Sequence, residues 1–509
     1  MPGALRRTAV IDLGSNSFRL VVFTADDETW QRTDEIYEAV RIGEGVGEDG
    51  TLGDEQLERA LSTVEVFAQF CHAAGIGPHD VDAVATSAIR DATNRDVFLD
   101  RAQRDSNLAV RVLTREEEAR AGYQAAVNST TLADGAVLDL GGGSLQLVEV
   151  RGRHPGELGS WPLGAVRMTE RFLPGGGPAK PKHLKALRGH VREELKRAGW
   201  LERSDRRIVG LGGTVRNLAT AAQAEAGLPS MGVQGFVLTR DALDALVERL
   251  AALPPAERGK VTGIKPARAD LILAGAVTVQ AVLRAGGFDG LEVTEAGLRE
   301  GIFFAQRLDG DPPLLEDVRR DSVRNLAARH AVTPAHTEHV AALALGLFDQ
   351  LAQDSLHDGD PVERELLWAA AQLHDIGMSV SYDDHHKHSR YLILNGGLPG
   401  FAPAEVALIA QAARYHRKGM PELGTFAGLA RPGDARRLDR LAVLLRLAED
   451  LERSRDQVVR TARVSTRDGT VSLILEAAGD ARVAQWAAER EVDLFDRAFG
   501  RRLTIASAG

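Results

Sequence analysis

Cysteine is almost missing from this sequence: 509 residues hold one, Cys71. A single thiol excludes an intramolecular disulfide and any multi-cysteine zinc site. It lies in "VEVFAQFCHAAG" at helical spacing and reads as a small buried hydrophobe. Long apolar runs are also missing. None reaches about 18 residues, so no transmembrane helix is predicted. "MPGALRRTAV" leads almost at once into a strand pattern, with no apolar segment and small-residue cleavage site behind it. The cytoplasm is therefore the expected location. There is no excess of positive charge either. The formal net charge is −10, which leaves no global basic field for nucleic acid or an anionic membrane. An anionic ligand would need a local basic site. Low-complexity tracts are lacking, and the composition is that of an ordinary globular chain. Its length is too great for one core and predicts two to four domains.

One stretch is written twice. "AVIDLGSNSFRLVV" (residues 9–22) and "AVLDLGGGSLQLVE" (136–149) align without a gap, pairing Asp12 with Asp139, Gly14 with Gly141, Ser17 with Ser144 and Leu20 with Leu147. Each reads as strand, tight turn, strand. A Gly/Ser turn presents several backbone N–H groups to one point, a nest for phosphate oxygens. Three glycines in "DLGGGS" exceed what a two-residue hairpin needs; "DLGSNS" offers Ser15, Asn16 and Ser17 instead. Two such loops on duplicated subdomains would face each other and clamp one polyphosphate. Asp12 and Asp139, at the turn entrances, suit a divalent cation such as Mg²⁺ or Mn²⁺. A third loop, "VGLGGTVRNLA", runs from a strand through Gly212, Gly213 and Thr214 into a helix, the recipe for an anion site. Arg216 in that helix's first turn opposes the helix dipole and favours an anion there.

Strands alternate with helices up to about residue 308, the pattern of an α/β fold. "DEQLERALSTVEVFAQFCHAAGI" predicts a helix with Asp54 as N-cap and Gly75 as stop. "RLDGDPPLLEDVRRDS" marks a boundary. Helical periodicity dominates after it, and "TVSLILEAA", "RVAQWAAEREVDLFDRAFG" and "RRLTIA" read as a small βαβ piece at the end.

These motifs together resemble the exopolyphosphatase / guanosine pentaphosphate phosphohydrolase (Ppx/GppA) family. "ATSAIRDATN", "LTREEEARAGYQAAV", "GLGGTVRNL", "EAGLREGIFF" and "AAQLHDIG…HHKHSRYLILNGGLPGF…ARYHRKG" extend the match along most of the chain. The resemblance implies two duplicated actin-like (RNase-H-like) domains around a cleft, 1–130 and 131–308. A helical HD-like domain at 317–460 and a small α/β subdomain at 461–509 would follow. It implies Glu118 as the catalytic base and Arg90 as a phosphate partner. Ser15, Asn16, Ser17, Gly141, Gly142, Gly143, Ser144, Gly212, Gly213 and Thr214 would bind phosphate. Asp12, Asp139 and Glu118 would hold Mg²⁺, with Asp139 counted among the catalytic residues. One position departs from the pattern: Gln146 stands where the family carries a second catalytic glutamate. An amide can hydrogen-bond a water but is no carboxylate base.

"QLHDIG" resembles the HD superfamily of metal-dependent phosphohydrolases. That likeness makes His336, His374, Asp375 and Glu449, with Asp450 beside it, ligands of a second divalent metal. His388 and His416 would serve a further one. "HHKHSR" and "YHRKG" read as a basic track for a long polyanion. The substrates implied are inorganic polyphosphate or pppGpp. A binding protein with poor turnover stays open because of Gln146, while a sugar-kinase-like transferase is disfavoured. A homodimer is the family's expectation.

Overall fold

In the computed structural model the described residues are 5–44, 50–330 and 333–507. The first four residues, on which part of the N-terminal reading rests, lie outside them. The chain forms two compact units, Met1–Val318 and Arg319–Gly509.

The first unit holds two sheets. One comprises β1 (Arg6–Leu13), β2 (Phe18–Ala25), β3 (Trp30–Glu38), β4 (Val81–Ala85) and β5 (Val110–Val112), in the order β3-β2-β1-β4-β5. The other comprises β6 (Gly135–Leu140), β7 (Leu145–Arg151), β8 (His154–Trp161), β9 (Ile208–Leu211), β10 (Val237–Thr239) and β11 (Gly290–Val293). Its order from the far edge is β8-β7-β6-β9-β11-β10. That is the first topology with one edge strand added. In both sheets the first three strands are antiparallel and the next two join in parallel. The repeated stretch forms β1–β2 and β6–β7. β1 and β6 are central, which is why they read as near-continuous apolar runs. The α/β class and the duplicated actin-like pair are thus the observed fold.

Helices α1 (Asp54–Ala73), α2 (Ser87–Arg90), α3 (Arg95–Ser106) and α4 (Arg115–Val127) accompany the first sheet's segment. The second segment carries α5 (Ala165–Phe172), α6 (Pro181–Leu195), α7 (Gly213–Glu225), α8 (Arg240–Ala252), α9 (Pro255–Arg258), α10 (Ile272–Ala285) and α11 (Leu298–Arg307). In α1, helical spacing buries Leu57, Leu61, Val64, Phe67 and Cys71. Burial pushes the Cys71 thiol up to about 11. The N-cap is Gly53, so Asp54 is the first helical residue rather than the cap.

Two helices lie between the sheets. α4 packs Ala119, Tyr123 and Ala126 on Val137, Val148 and Val209 of the second sheet. α11 packs Ile302, Phe303 and Phe304 on Val10, Val21 and Val84 of the first. They cross where Gly301 lies against the Ala121 carbonyl, with no room for a Cβ. A boundary at 308 assigns α11 to the second domain, yet its apolar face belongs to the first sheet's core.

The second unit begins with helices α12 (Val318–Arg329), α13 (Pro334–Gln353), α14 (Pro361–Leu373), α15 (His385–Gly396), α16 (Pro403–Tyr415) and α17 (Asp434–Leu451). Then come β12 (Val459–Arg467), β13 (Thr470–Ala477), α18 (Arg482–Ala488), α19 (Val492–Phe499) and β14 (Arg502–Ser507). β13 and β14 are parallel across the two helices, the expected βαβ unit. β12 adds an antiparallel strand that periodicity did not suggest. Its turn, Asp468-Gly469, has positive φ at both residues, the Asp-Gly hairpin signal. The boundary expected at 460/461 falls inside β12. Val459, Leu473, Leu475 and Leu503 of the sheet share one core with Leu441 and Leu444 of α17. Helices and sheet therefore bury a common face.

Candidate active site

The two repeated turns close with the same bond. Gly14 N donates to Ser17 O at 3.2 Å, and Gly141 N to Ser144 O at 3.0 Å. Both have their tip carbonyls taken from behind. Ser15 O and Asn16 O accept from Gly43 N and Arg41 N, each at 3.0 Å. Gly141 O and Gly142 O accept from Ala165 N (3.0 Å) and Val166 N (2.8 Å), where α5 begins. Carbonyls drawn back leave the loop N–H groups as the polar edge toward the space between, the arrangement of an anion nest. The tips meet: Asn16 lies beside Gly142, and Ser15 and Ser87 lie beside Gly143. Asp12, Gly14, Ser15, Asn16, Ser17, Gly141, Gly142, Ser144, Gly212 and Gly213 line one cleft.

Glu118 reaches this cleft from α4, and its neighbours explain why it alone does. Glu116 pairs with Arg120 at 3.0 Å on the surface. Glu117 closes a capping box with Thr114. Glu118 turns inward and is buried. Its Oε2 accepts from Arg90 Nη1 at 2.6 Å and its Oε1 from Ser144 Oγ at 3.2 Å. Gln146 Nε2 in turn donates to Ser144 Oγ (2.8 Å) and Ser160 Oγ (3.2 Å). Burial raises the Glu118 carboxyl above its ordinary range, with Arg90 opposing. Asp139 rises to about 7, through burial first and the Glu118 charge second. Burial also raises Asp12, although Arg299 Nη1 donates to its Oδ2 at 3.0 Å.

Four guanidinium groups complete the wall: Arg19, Arg216, Arg268 and Arg299. Burial lowers Arg216 to about 10, and the charges of Arg299 and Arg19 add to the effect. Burial likewise lowers Arg19 and Arg268. Crowded like charges in a desolvated cleft favour a polyanion. The same arginines border a larger adjoining cavity of about 830 Å³, which also includes Tyr37, Asn217, Gln223 and Lys265.

Three predicted phosphate contacts, Arg90, Gly143 and Thr214, are not among the residues that line the cleft. Arg90 grips Glu118 and the Leu113 carbonyl (3.1 Å) through Nη1, while its Nε is buried without a partner. Thr214 is buried with its side chain toward Gly275 of α10. Arg19, Arg268 and Arg299 were not singled out from sequence. Arg19 had a signal, because the duplicated alignment sets it opposite Gln146; each faces the loop aspartate across its hairpin, Arg19 on Asp12 and Gln146 on Asp139. Arg299 sits inside the quoted "GLREG". Nothing local marks Arg268.

In the second unit, His336, His374, Asp375 and Glu449 converge. His336 Nε2 and His374 Nε2 lie 3.1 and 3.3 Å from Glu449 Oε2. His416 is adjacent, 3.8 Å from Asp375 Oδ1. The further histidine is His385, 3.3 Å from Asp375 Oδ1. His388, predicted for that role, lies one helical turn along α15 and is absent from the His/Asp groups formed by the described residues. Asp450 points elsewhere, its carboxyl pushed up to about 7 by burial and the Glu491 charge.

Comparison with known proteins agrees with this architecture. The Ppx/GppA phosphatase family profile matches residues 21–309, and that of Ppx/GppA phosphatase domain III matches 318–489. A crystal structure of the Ppx/GppA family member from Aquifex aeolicus is 31% identical, covering 59% of this chain and 97% of its own, with a TM-score of 0.52. An exopolyphosphatase from Cytophaga hutchinsonii shares the fold at 23% identity and a TM-score of 0.55, covering 59% of this chain and 98% of its own. The chain belongs to the Ppx/GppA phosphatase family, hydrolases that act on polyphosphate or pppGpp. No helix among the described residues is long and apolar enough to cross a membrane.

Proposed function

We propose that the first unit is an exopolyphosphatase, releasing terminal phosphate from inorganic polyphosphate by attack of a water that Glu118 orients. The observation that carries this reading is the placement of Glu118. It is a buried carboxylate, held by Arg90 on one oxygen and Ser144 on the other, beside two phosphate nests and four arginines. A raised carboxyl pKa suits a general base. The water oxygen forms the new bond to the terminal phosphorus, its proton passes to Glu118, and the bridging P–O bond breaks with its electrons on the departing chain. Loop N–H groups and the arginines take up the charge on the phosphoryl oxygens.

Asp12, Asp139 and Glu118 all line the cleft, although they are absent from the groups whose ligand atoms lie within 4.8 Å of one another among the described residues, and burial raises Asp139 first, the Glu118 charge second. One or two of these carboxylates, with phosphate oxygens and waters completing the shell, would suit a hard cation such as Mg²⁺ or Mn²⁺. Such an ion supplies charge neutralisation at the phosphates. Gln146 acts through Ser144 and supplies no second base.

A second reading, hydrolysis of pppGpp, is favoured by the adjoining cavity, where Tyr37 and the amides of Asn217 and Gln223 suit a nucleoside. Phosphate release from long-chain polyphosphate, short-chain polyphosphate and pppGpp, with Mg²⁺ and beside Glu118→Ala, separates the two. Tight binding of all three without release would instead identify a sensor.

A further inference from the structure

We infer that Arg299 is the fixed cation of the first nest, held on Asp12 so that its free edge grips a phosphoryl group, and that Asp12 positions this arginine instead of ligating the divalent ion. The inference rests on the reading of the cleft as a polyphosphate site.

The two copies of the repeated hairpin differ in what faces their aspartate. Opposite Asp12 on β2 stands Arg19, and Arg299 Nη1 donates to Asp12 Oδ2 at 3.0 Å. Opposite Asp139 on β7 stands the neutral Gln146, and the charge that bears most on Asp139 is the Glu118 carboxylate. Gly122 and Gly212 lie against the two Asp139 oxygens, where a Cβ would come to 3.2 and 3.4 Å. One aspartate already faces two guanidinium groups, while the other faces an acid and an amide. A divalent cation belongs with the second.

An ion on Asp12 would have to displace Arg299 or sit beside its charge. Arg299 is the second residue of α11, whose Ile302, Phe303 and Phe304 are buried against Val10 and Val21 of the same hairpin's strands. Gly301 has the Ala121 carbonyl against it, and Glu300 Oε2 caps the helix by accepting from Gly297 N at 2.8 Å. Both partners of the pair are therefore mounted on one packed core, and Arg299 itself is buried. Breaking a buried pair leaves uncompensated charge on both sides.

With Nη1 on Asp12, the Nε/Nη2 edge of the guanidinium remains, a parallel donor pair that matches two oxygens of a phosphate. Nε is buried without a partner, and a buried donor left unpaired is costly. Arg299 lines both the cleft and the adjoining cavity, so a phosphate chain passing between them meets that edge. The duplication is thus chemically one-sided: α4 brings Glu118 to the second nest, and α11 brings Arg299 to the first.

The test separates the two aspartates by the sign of their effect. Full-length protein in chelator, to hold off turnover, is titrated with inorganic tripolyphosphate by calorimetry. Arg299→Gln should weaken binding by about tenfold or more. Asp12→Ala should weaken it too, although deleting a negative charge from an anion site would by itself tighten it. Asp139→Asn should show that tightening. With Mg²⁺ restored, the concentration giving half-maximal phosphate release should rise at least about tenfold in Asp139→Asn and stay within about threefold in Asp12→Asn. Circular dichroism identifies any variant that fails to fold, and the Mg²⁺ comparison stands on the isosteric amides if Asp12→Ala does not. A native chain that binds no tripolyphosphate overturns the reading of the cleft and this inference together. Native binding that a folded Arg299→Gln keeps, or that a folded Asp12→Ala tightens, overturns the inference alone. So does a Mg²⁺ requirement raised as much by Asp12→Asn as by Asp139→Asn.

Discussion

The cleft of the first unit and the histidine cluster of the second answer the same problem, how to bury charge, with opposite chemistry. The cleft gathers oxygen donors and guanidinium groups, a lining suited to a polyanion. The cluster gathers imidazoles around Asp375 and Glu449: Nδ1 of His374, His385 and His416 is held by a backbone carbonyl, while both ring nitrogens of His336 lack a partner. In the cleft, side chains bond one another, Arg90 to Glu118, Arg299 to Asp12 and Gln146 to Ser144, while Asn16 Nδ2, Arg90 Nε and Arg299 Nε are buried without a partner. In the cluster the partnerless atoms are more concentrated: both ring nitrogens of His336, His374 Nε2, Asp375 Oδ1 and Glu449 Oε2.

The sharpest way to break this contrast is Glu118→Ala. If Glu118 is the base, phosphate release should fall by about 10²–10⁴-fold. The metal content of the second unit should be unchanged. Steady-state phosphate release and metal content on the same preparation give both numbers, and a loss of second-unit metal would end the separation of the two sites. Arg90→Ala is the next largest. Arg90 holds Glu118 in its charged form, so removing it should raise the Glu118 pKa further. The acid limb of the kcat profile should then move to higher pH, with kcat down by about 10-fold or more. A fall in affinity alone, with the pH profile unmoved, would return Arg90 to phosphate binding.

Much of the cleft was legible because duplication writes it twice: an apolar central strand, an aspartate at its end, and a Gly/Ser turn. The two hairpins even share the bond that closes them. The directions of the Arg90 and Thr214 side chains, toward Glu118 and Gly275, were not legible. A motif gives residue types, while the direction of a side chain depends on which helix packs behind it. Arg268 reaches Gly213 through a loop some fifty residues downstream, and no local periodicity carries that information. In the second unit, His385 and His388 sit on the same short helix, and spacing alone cannot tell which ring turns toward Asp375. The terminal hairpin was announced by Asp468-Gly469, yet only its second strand, "TVSLILEAA", is apolar enough to read as one; β12, rich in arginine and threonine, is not.

Gln146→Glu tests the cleft's self-satisfaction more gently. Ser144 and Ser160 hydroxyls can turn to donate to a carboxylate as readily as they accept from the amide. The substitution should therefore fold normally, release Ser144 from Glu118 and add the missing acid. A several-fold rise in Mg²⁺-dependent turnover is expected. Unchanged or reduced turnover of polyphosphate would show that the amide suits this chain better than the acid does.

The smallest effect concerns stability, and its sign follows from Asp139. Its carboxyl titrates near pH 7 in the fold, against 3.8 as the ordinary value, with burial as the first cause. The folded chain therefore holds a proton that the unfolded chain has lost across that interval. Stability contributed by this group is fully present below the ordinary value and drains away as pH rises toward 7. Chelated protein should unfold at a Tm a few degrees lower at pH 8 than at pH 5.5, other groups being equal. Asp139→Asn, which carries no charge to bury, should flatten that slope. Saturating Mg²⁺ should flatten it too, because a cation beside Asp139 replaces the proton. If the slope survives both treatments, the buried negative charge of the cleft lies elsewhere, and the contrast with the histidine cluster must be redrawn around Asp12 and Glu118.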